Sequence, residues 1–346
     1  KKGMINKENN TLQKNEVQST PGFRTKVVWL NVLGYILFHI GMIYGYYLFV
    51  TSQMKLITFV WAWFVGFLAL FSITIGAHRL FSHKAFKAAQ PLRILLIFGF
   101  LLAGQNSLWE WVRDHRQHHR YSDTDADPHN AKRGFFFSHT GWLLMKKLPE
   151  VIEKGKDTDM SDLNADPWVM FQKKYYGVLF FFIGIFIPVI VPVLLWEETL
   201  WNSVWLCYFS RYVTSLHVTW CVNSVAHYFG TRPYTKEMLP VETSWVSLIT
   251  GGEGWHNFHH TFPWDYRASE YGRINTSTMI IDSFAKFGWI TDLRYVSDEV
   301  ITYRIARKGD GSHPLWKSSE NAVDIRPEIE FDSDDIFGNK IQEFIY

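Results

Sequence analysis

The chain has 346 residues, 47% of them hydrophobic and 17% aromatic, with a formal net charge of +2. That balance lacks the basic surplus a nucleic-acid partner requires, and two cysteines, Cys207 and Cys221, exclude a disulfide-stapled extracellular fold. The apolar residues are unevenly spread, and their distribution decides the class.

Residues 1–26 are polar and lack the basic-then-apolar pattern of a signal peptide, so the first span is expected to double as the insertion signal. A bilayer core of roughly 30 Å takes about 20 apolar residues per helix. Four stretches meet that requirement, at 27–50, 56–75, 175–196 and 201–222, and only the third contains prolines, Pro188 and Pro192. A membrane helix accommodates these as a kink. The links at 51–55 and 197–200 carry one Lys and two Glu, while nearly all other basic residues lie in the N-terminal segment, at 79–174 and after 223. By the positive-inside rule those regions face the cytosol. The expected fold is therefore an all-α integral membrane protein. Four transmembrane helices are capped by a helical cytosolic domain, built from 76–174 and 223–307, that holds a di-metal centre.

Between 92 and 103 an apolar run too short to span predicts a helix in the interface or under the cytosolic lobe. Residues 274–290 predict another surface or lobe-packing helix. Residues 308–346, rich in Asp, Glu, Ser, Lys and Gly, predict a mobile tail in which Ile325, Ile329, Phe331 and Ile336 can dock.

Nine of the fourteen histidines carry the chemistry. They are His78 and His83, then His115, His118 and His119, then His227, then His256, His259 and His260. Residues three and four apart share a helix face, so each His-x-x-His-His projects together, as does Asn223 with His227. Nine imidazoles exceed the coordination of one ion, which points to two metals, and imidazole suits Fe, Cu and Zn. His78 and His83, five apart, are about 140° around an α-helix; either the helix breaks between them or they serve different metals. His39, His129, His139, His217 and His313 read as packed or capped residues without a ligand role.

The motifs GAHRLFSH (76–83), WVRDHRQHH (111–119), DPHNAKRGFFFSHTGW (127–142), NSVAH (223–227) and GEGWHNFHHTFPWDY (252–266) resemble those of the membrane fatty-acyl desaturases. The resemblance is to the stearoyl-CoA Δ9 desaturase family that includes insect acyl-CoA desaturases, and it runs from about residue 27 to 307. Phe81 stands where Trp is usual and Phe258 where Tyr is usual. The resemblance implies two iron ions (Fe2+) held by the nine histidines, with Asn223 reaching one through water. It also implies O2, electrons from cytochrome b5 and its NADH-dependent reductase, and a cis double bond placed in a saturated fatty acyl-CoA at the endoplasmic reticulum membrane, both termini cytosolic. The chemistry agrees: an unactivated methylene has no acidic proton, so a redox-active metal is needed, and zinc is not one. Zinc can nonetheless enter such a site in recombinant protein. Position 256 is His rather than Gln, and His313-Pro314 is followed by Leu rather than Gly-Gly, so the cytochrome is expected to be a separate protein.

Carried over residue by residue, the resemblance assigns Arg113, Asp114 and Lys147 to the CoA head group and Gln105, Trp111, Thr219 and Trp220 to the acyl tunnel. Lys132, Arg133 and Lys146 are further basic candidates. Gly66 and Leu70, one turn apart, lie about 18 and 12 Å before His78 along the second span. They are expected to set chain length, with Leu70 as the stop. Two other classes compete. A histidine-box hydroxylase shares the ligands, though the third-box context favours a desaturase. A zinc transporter would place its ligands near the middle of the spans, where these do not lie.

Overall fold

A computed structural model describes residues 25–270 and 272–319. The segment 1–24 and the hydrophobic positions at 325–336 lie outside the described residues. Three helices are long and apolar enough to cross a membrane: Trp29–Val50, Leu56–Ser82 and Tyr176–Trp196. The fourth expected span is helical throughout 200–223 but less apolar, carrying Asn202, Ser210, Arg211 and His217. It packs against each of the other three, so its polar groups face protein rather than lipid. The two short links meet at the far end of the bundle on buried Glu198. That carboxylate accepts from the Lys55 N–H at 2.9 Å, the Thr58 hydroxyl at 2.7 Å and the Asn202 amide at 2.9 Å.

The prolines of the third span leave carbonyls without a helical donor. Pro188 cannot donate to Gly184, and the Arg211 guanidinium does so instead at 2.8 Å. Pro192 cannot donate to Pro188, and the Trp61 indole N–H takes that place at 2.9 Å. Arg211 also donates to the carbonyls of Leu102 and Cys207, at 2.7 and 2.8 Å. A buried cation without a carboxylate thus ties three helices together through their freed carbonyls.

The helices Gln90–Ala103 and Leu108–Tyr121 form a pair bent by 86°. The first buries Leu92, Leu96, Ile97, Phe100 and Leu101 and packs on the second span. The corner is Gly104, at φ 61°, where a Cβ would meet the Tyr212 ring at 2.6 Å. The second helix starts with a capping box between Ser107 and Glu110. The cap is completed by short helices, among them Ser244–Thr250, His256–Thr261, Thr276–Lys286 and Asp298–Lys308. Lys87–Ala88 pairs antiparallel with Ile290–Thr291, the only strand pair among the described residues. The expected helix within 274–290 is Thr276–Lys286, which buries Ile281 in the cap while Met279 stays exposed. Contrary to the expectation of a tail free from 308 onward, residues 308–313 lie against the cap: Asp310 accepts from the Arg232 N–H at 2.5 Å, and His313 pairs with Glu270 at 3.0 Å.

Candidate metal centre

The second span ends in a π-helical stretch, Ser72–Ser82. There the His83 N–H donates to the His78 carbonyl at 3.1 Å, so five residues make about one turn. The two rings come to 4.9 Å between centroids. The expectation that a spacing of five separates them fails because the helix widens instead of breaking. His78, His83, His115, His119 and His259 bring one ligand atom each within 4.8 Å of one another, and so do His118, His227, His256 and His260. All nine imidazoles thus fall into two adjoining groups. Each His-x-x-His-His serves both: His115 and His119 turn to the first group and His118 to the second, while His256 and His260 join the second and His259 the first. Asn223 and His227 do not share one helix, since Ser224 interrupts it at φ −113°, ψ −72°.

Ring nitrogens face one another across these groups. Nε2 of His259 lies 2.9 Å from Nε2 of His78 and 3.0 Å from that of His119, and Nε2 of His260 lies 3.1 Å from that of His256. The outer nitrogens explain which protons are present. His78 Nδ1 is 2.9 Å from Glu253, His118 Nδ1 is 2.9 Å from Asp127, and His227 Nδ1 is 3.3 Å from Asp123. The His118 contact is a hydrogen bond, and since a carboxylate only accepts, its proton sits on Nδ1 and a lone pair points inward from Nε2. Burial, reinforced by neighbouring imidazoles, holds His83, His115, His119, His256, His259 and His260 well below the usual imidazole value. They are neutral at pH 7. Burial would lower His118 as well, but Asp127 outweighs it and raises the imidazole. Burial would raise Glu253, yet His78 and Arg79 hold its carboxyl at about 2; Asp123, likewise buried, is held at about 2 by His227. Buried His227 Nε2 has no hydrogen-bond partner. Convergent, neutral, deprotonated nitrogens backed by ionised carboxylates fit cations and fit little else.

Two cavities meet this centre, and a third shares walls with the second. The first, about 380 Å3, is lined by Gln105, Trp111, Asp114, His115, Thr219, Trp220 and Asn223 among others. The second, about 50 Å3, touches His78, His115, His118, His256, Asn223 and Leu70. The third, about 590 Å3, runs between the second and fourth spans past Leu70 and Gly66. Within the first, the Trp111 N–H donates to Gln105 at 3.1 Å and the Gln105 amide to Thr219 at 2.9 Å. Trp111 stacks on His115 at 4.9 Å. Asp114 holds both Arg113 and Lys147 at 2.7 Å. Arg133, a sequence-based surface candidate, is instead buried over the Phe137 ring at 3.7 Å.

Residues 54–275 match the family model described as fatty acid desaturase. The chain belongs to the fatty acid desaturase family. It is 50% identical over 297 residues to an acyl-CoA Delta-9 desaturase of Acheta domesticus, across 85% of this chain and 82% of the relative. It is also 50% identical over 296 residues to an acyl-CoA Delta12-desaturase of the same species, across 85% and 83%. An acyl-CoA Delta(11) desaturase of Spodoptera littoralis is 48% identical over 293 residues, across 84% and 86%. Relatives of equal likeness thus bear names that differ in double-bond position.

Sequence reasoning missed four members of this desaturase site. Asp123, Asp127 and Glu253 orient ligating rings, and His129 lies 3.4 Å from Asp127 and forms with it and His118 a third cluster of metal-ligating groups. A signal existed: each carboxylate stands within eight residues of a histidine cluster.

Proposed function

We propose that this desaturase places a cis double bond, at Δ9, in a saturated long-chain fatty acyl-CoA. One Fe2+ is held by His78, His83, His115, His119 and His259, and the other by His118, His227, His256 and His260 with Asn223 through water. The observation that carries this reading is the pair of convergent imidazole groups beside the cavities walled by Trp111, Gln105 and Thr219. The second group has one imidazole fewer, and Asn223 lines the cavity beside it, which supports its assignment.

Iron held there supplies the one-electron redox chemistry by which O2, two electrons and two protons yield two waters as the methylene pair loses two hydrogens. The protein's own part is binding and exclusion. Asp114 fixes the Arg113 and Lys147 cations at the cavity mouth, where the CoA phosphates would lie. The linked side chains of Trp111, Gln105 and Thr219 give the acyl chain one rigid wall, with their polar atoms satisfied among themselves. Water exclusion follows from the burial of the ligating rings, of which His78, His118, His227, His256, His259 and His260 are each under 9% exposed. Electrons come from a separate cytochrome b5 and its NADH-dependent reductase. The location of the basic residues and an even number of spans support cytosolic termini, and the membrane assigned is that of the endoplasmic reticulum. The desaturase unit runs over 27–307, flanked by the polar segments 1–26 and 308–346. Expression in a desaturase-deficient yeast, with double-bond location by mass spectrometry, tests this. New Δ9 monoenes are expected, and growth that still requires added unsaturated fatty acid would refute the reading.

A further inference from the structure

Three histidines outside the two groups were expected to be isolated packing residues. They form a continuous hydrogen-bonded chain instead. His39 on the first span reaches the Tyr35 carbonyl through Nδ1 at 2.6 Å and His217 on the fourth span, Nε2 to Nε2, at 2.9 Å. His217 Nδ1 lies 2.9 Å from Nε2 of His139 in the cap, and His139 Nδ1 lies 2.8 Å from the Ser224 hydroxyl.

The direction of this chain is forced by its first member. A carbonyl only accepts, so neutral His39 carries its proton on Nδ1 and accepts at Nε2. His217 must then donate from Nε2 and accept at Nδ1. His139 in turn donates from Nε2, and its Nδ1 faces the Ser224 hydroxyl, which also lies 2.8 Å from the Trp220 carbonyl and has one proton for the two. Burial holds His139 below the usual imidazole value, in keeping with a neutral chain. One backbone oxygen thus sets three tautomers across two spans and the cap. Polar rings in spans are costly unless partnered, and apolar rings would fill the same space.

What this chain holds is Trp220. The indole is 2% exposed. It meets His217 at 5.1 Å, His139 at 5.8 Å and Tyr35 at 5.7 Å between ring centroids. With Tyr35, Thr219, Trp111 and Asn223 it lines the first cavity. The double-bond position is the count of carbons between the thioester and the metals, so it depends on how that cavity's walls seat the chain. Overall likeness does not fix it, since relatives of about 50% identity carry Delta-9 and Delta12 names. We propose that the His39–His217–His139 chain is a positioning device that fixes Trp220 in the cavity wall and thereby selects which carbon pair meets the metals. This rests on the reading of the site given above.

The experiment uses the full chain in desaturase-deficient yeast, with positional analysis of the monoenes and metal content of the purified protein. His217→Phe keeps the ring and removes both bonds; His217→Gln offers an amide N–H toward His39 and a carbonyl toward His139. His217→Phe is expected to raise the share of monoenes with the bond one or two positions away by about tenfold, the loss of one to two buried hydrogen bonds. His217→Gln should stay within about twofold of the parent, and metal content should be unchanged in both. His139→Leu should shift positions in the same direction, and it decides the matter if His217→Phe does not accumulate. Lower total yield with an unchanged positional ratio in both apolar variants overturns the inference. Absence of any monoene from the parent chain overturns the site reading instead.

Discussion

Leu70 is a wall of both the small cavity at the metal groups and the large one beyond, whereas Gly66 lines only the latter. Leu70 therefore stands at the neck between them, and Leu70→Ala should join the two. An acyl chain two carbons longer would then bury two more methylenes in the distal space of about 590 Å3. At about 0.8 kcal/mol each this amounts to about 1.6 kcal/mol, or about fifteenfold in relative kcat/KM for the longer chain. Leu70 is half-buried, so the stability cost should fall below the roughly 2–5 kcal/mol of a fully buried Leu→Ala. The assay is competition between saturated acyl-CoAs of graded length, with products separated by chain length. The distal residue supplies the control. Gly66→Tyr should change little alone, because chains stopped at Leu70 do not reach it, and should cancel the gain in a Leu70→Ala background. A β-carbon at Gly66 already meets Arg211 at 3.7 Å and Ser215 at 3.8 Å, so a tyrosine must extend into the distal cavity. An unchanged length preference in folded, metal-loaded Leu70→Ala would refute the neck. Additive effects in the double variant would refute the shared path.

Replacing His256 by Ala removes one of four nitrogens from the second group; metal analysis should show about half the parent content, with desaturation lost. Asp127→Asn weakens the carboxylate that fixes His118 and should lower metal affinity or activity about 10- to 100-fold, measured by chelator competition. Burial pushes Glu242 up to about 8, against the hydrogen bond from the Phe258 N–H. A folded-state value above the unfolded one means the native state binds the extra proton. Thermal stability should therefore fall as pH rises from about 5 through 8, and Glu242→Gln should flatten that slope in thermal melts. If cytochrome b5 docks on the basic face, the reduction rate should drop steeply between low and physiological ionic strength; a salt-independent rate would exclude electrostatic docking.

The sequence made the nine grouped imidazoles legible because imidazoles at spacings of three and four have few uses, and because motif context narrowed them further. It could not show how they divide. A face at i, i+3 and i+4 is wide enough to straddle two ions, so one His-x-x-His-His serves both groups. Nor does α-helical arithmetic reach His83, which joins His78 only through a π turn. The orienting carboxylates Asp123, Asp127 and Glu253 sat beside the clusters in sequence, but ordinary loop acids look the same until their burial is known. His39 and His217 are 178 positions apart, and no local pattern pairs them.

The irregular helix segments share a logic. Besides Phe137–Gly141 in the cap, π-helical stretches occur within the spans at Ser72–Ser82, Phe180–Phe186 and Val204–Ser210. Each sits where the bundle must do something a regular ladder forbids. The first brings the His78 and His83 rings to 4.9 Å of one another. The second includes Gly184, whose carbonyl is freed by Pro188 for Arg211. The third ends one residue before Arg211 and includes Cys207, whose carbonyl accepts from it. Each trades hydrogen-bond geometry within one helix for a long-range partner, and apolarity and periodicity record only the helix, not the trade.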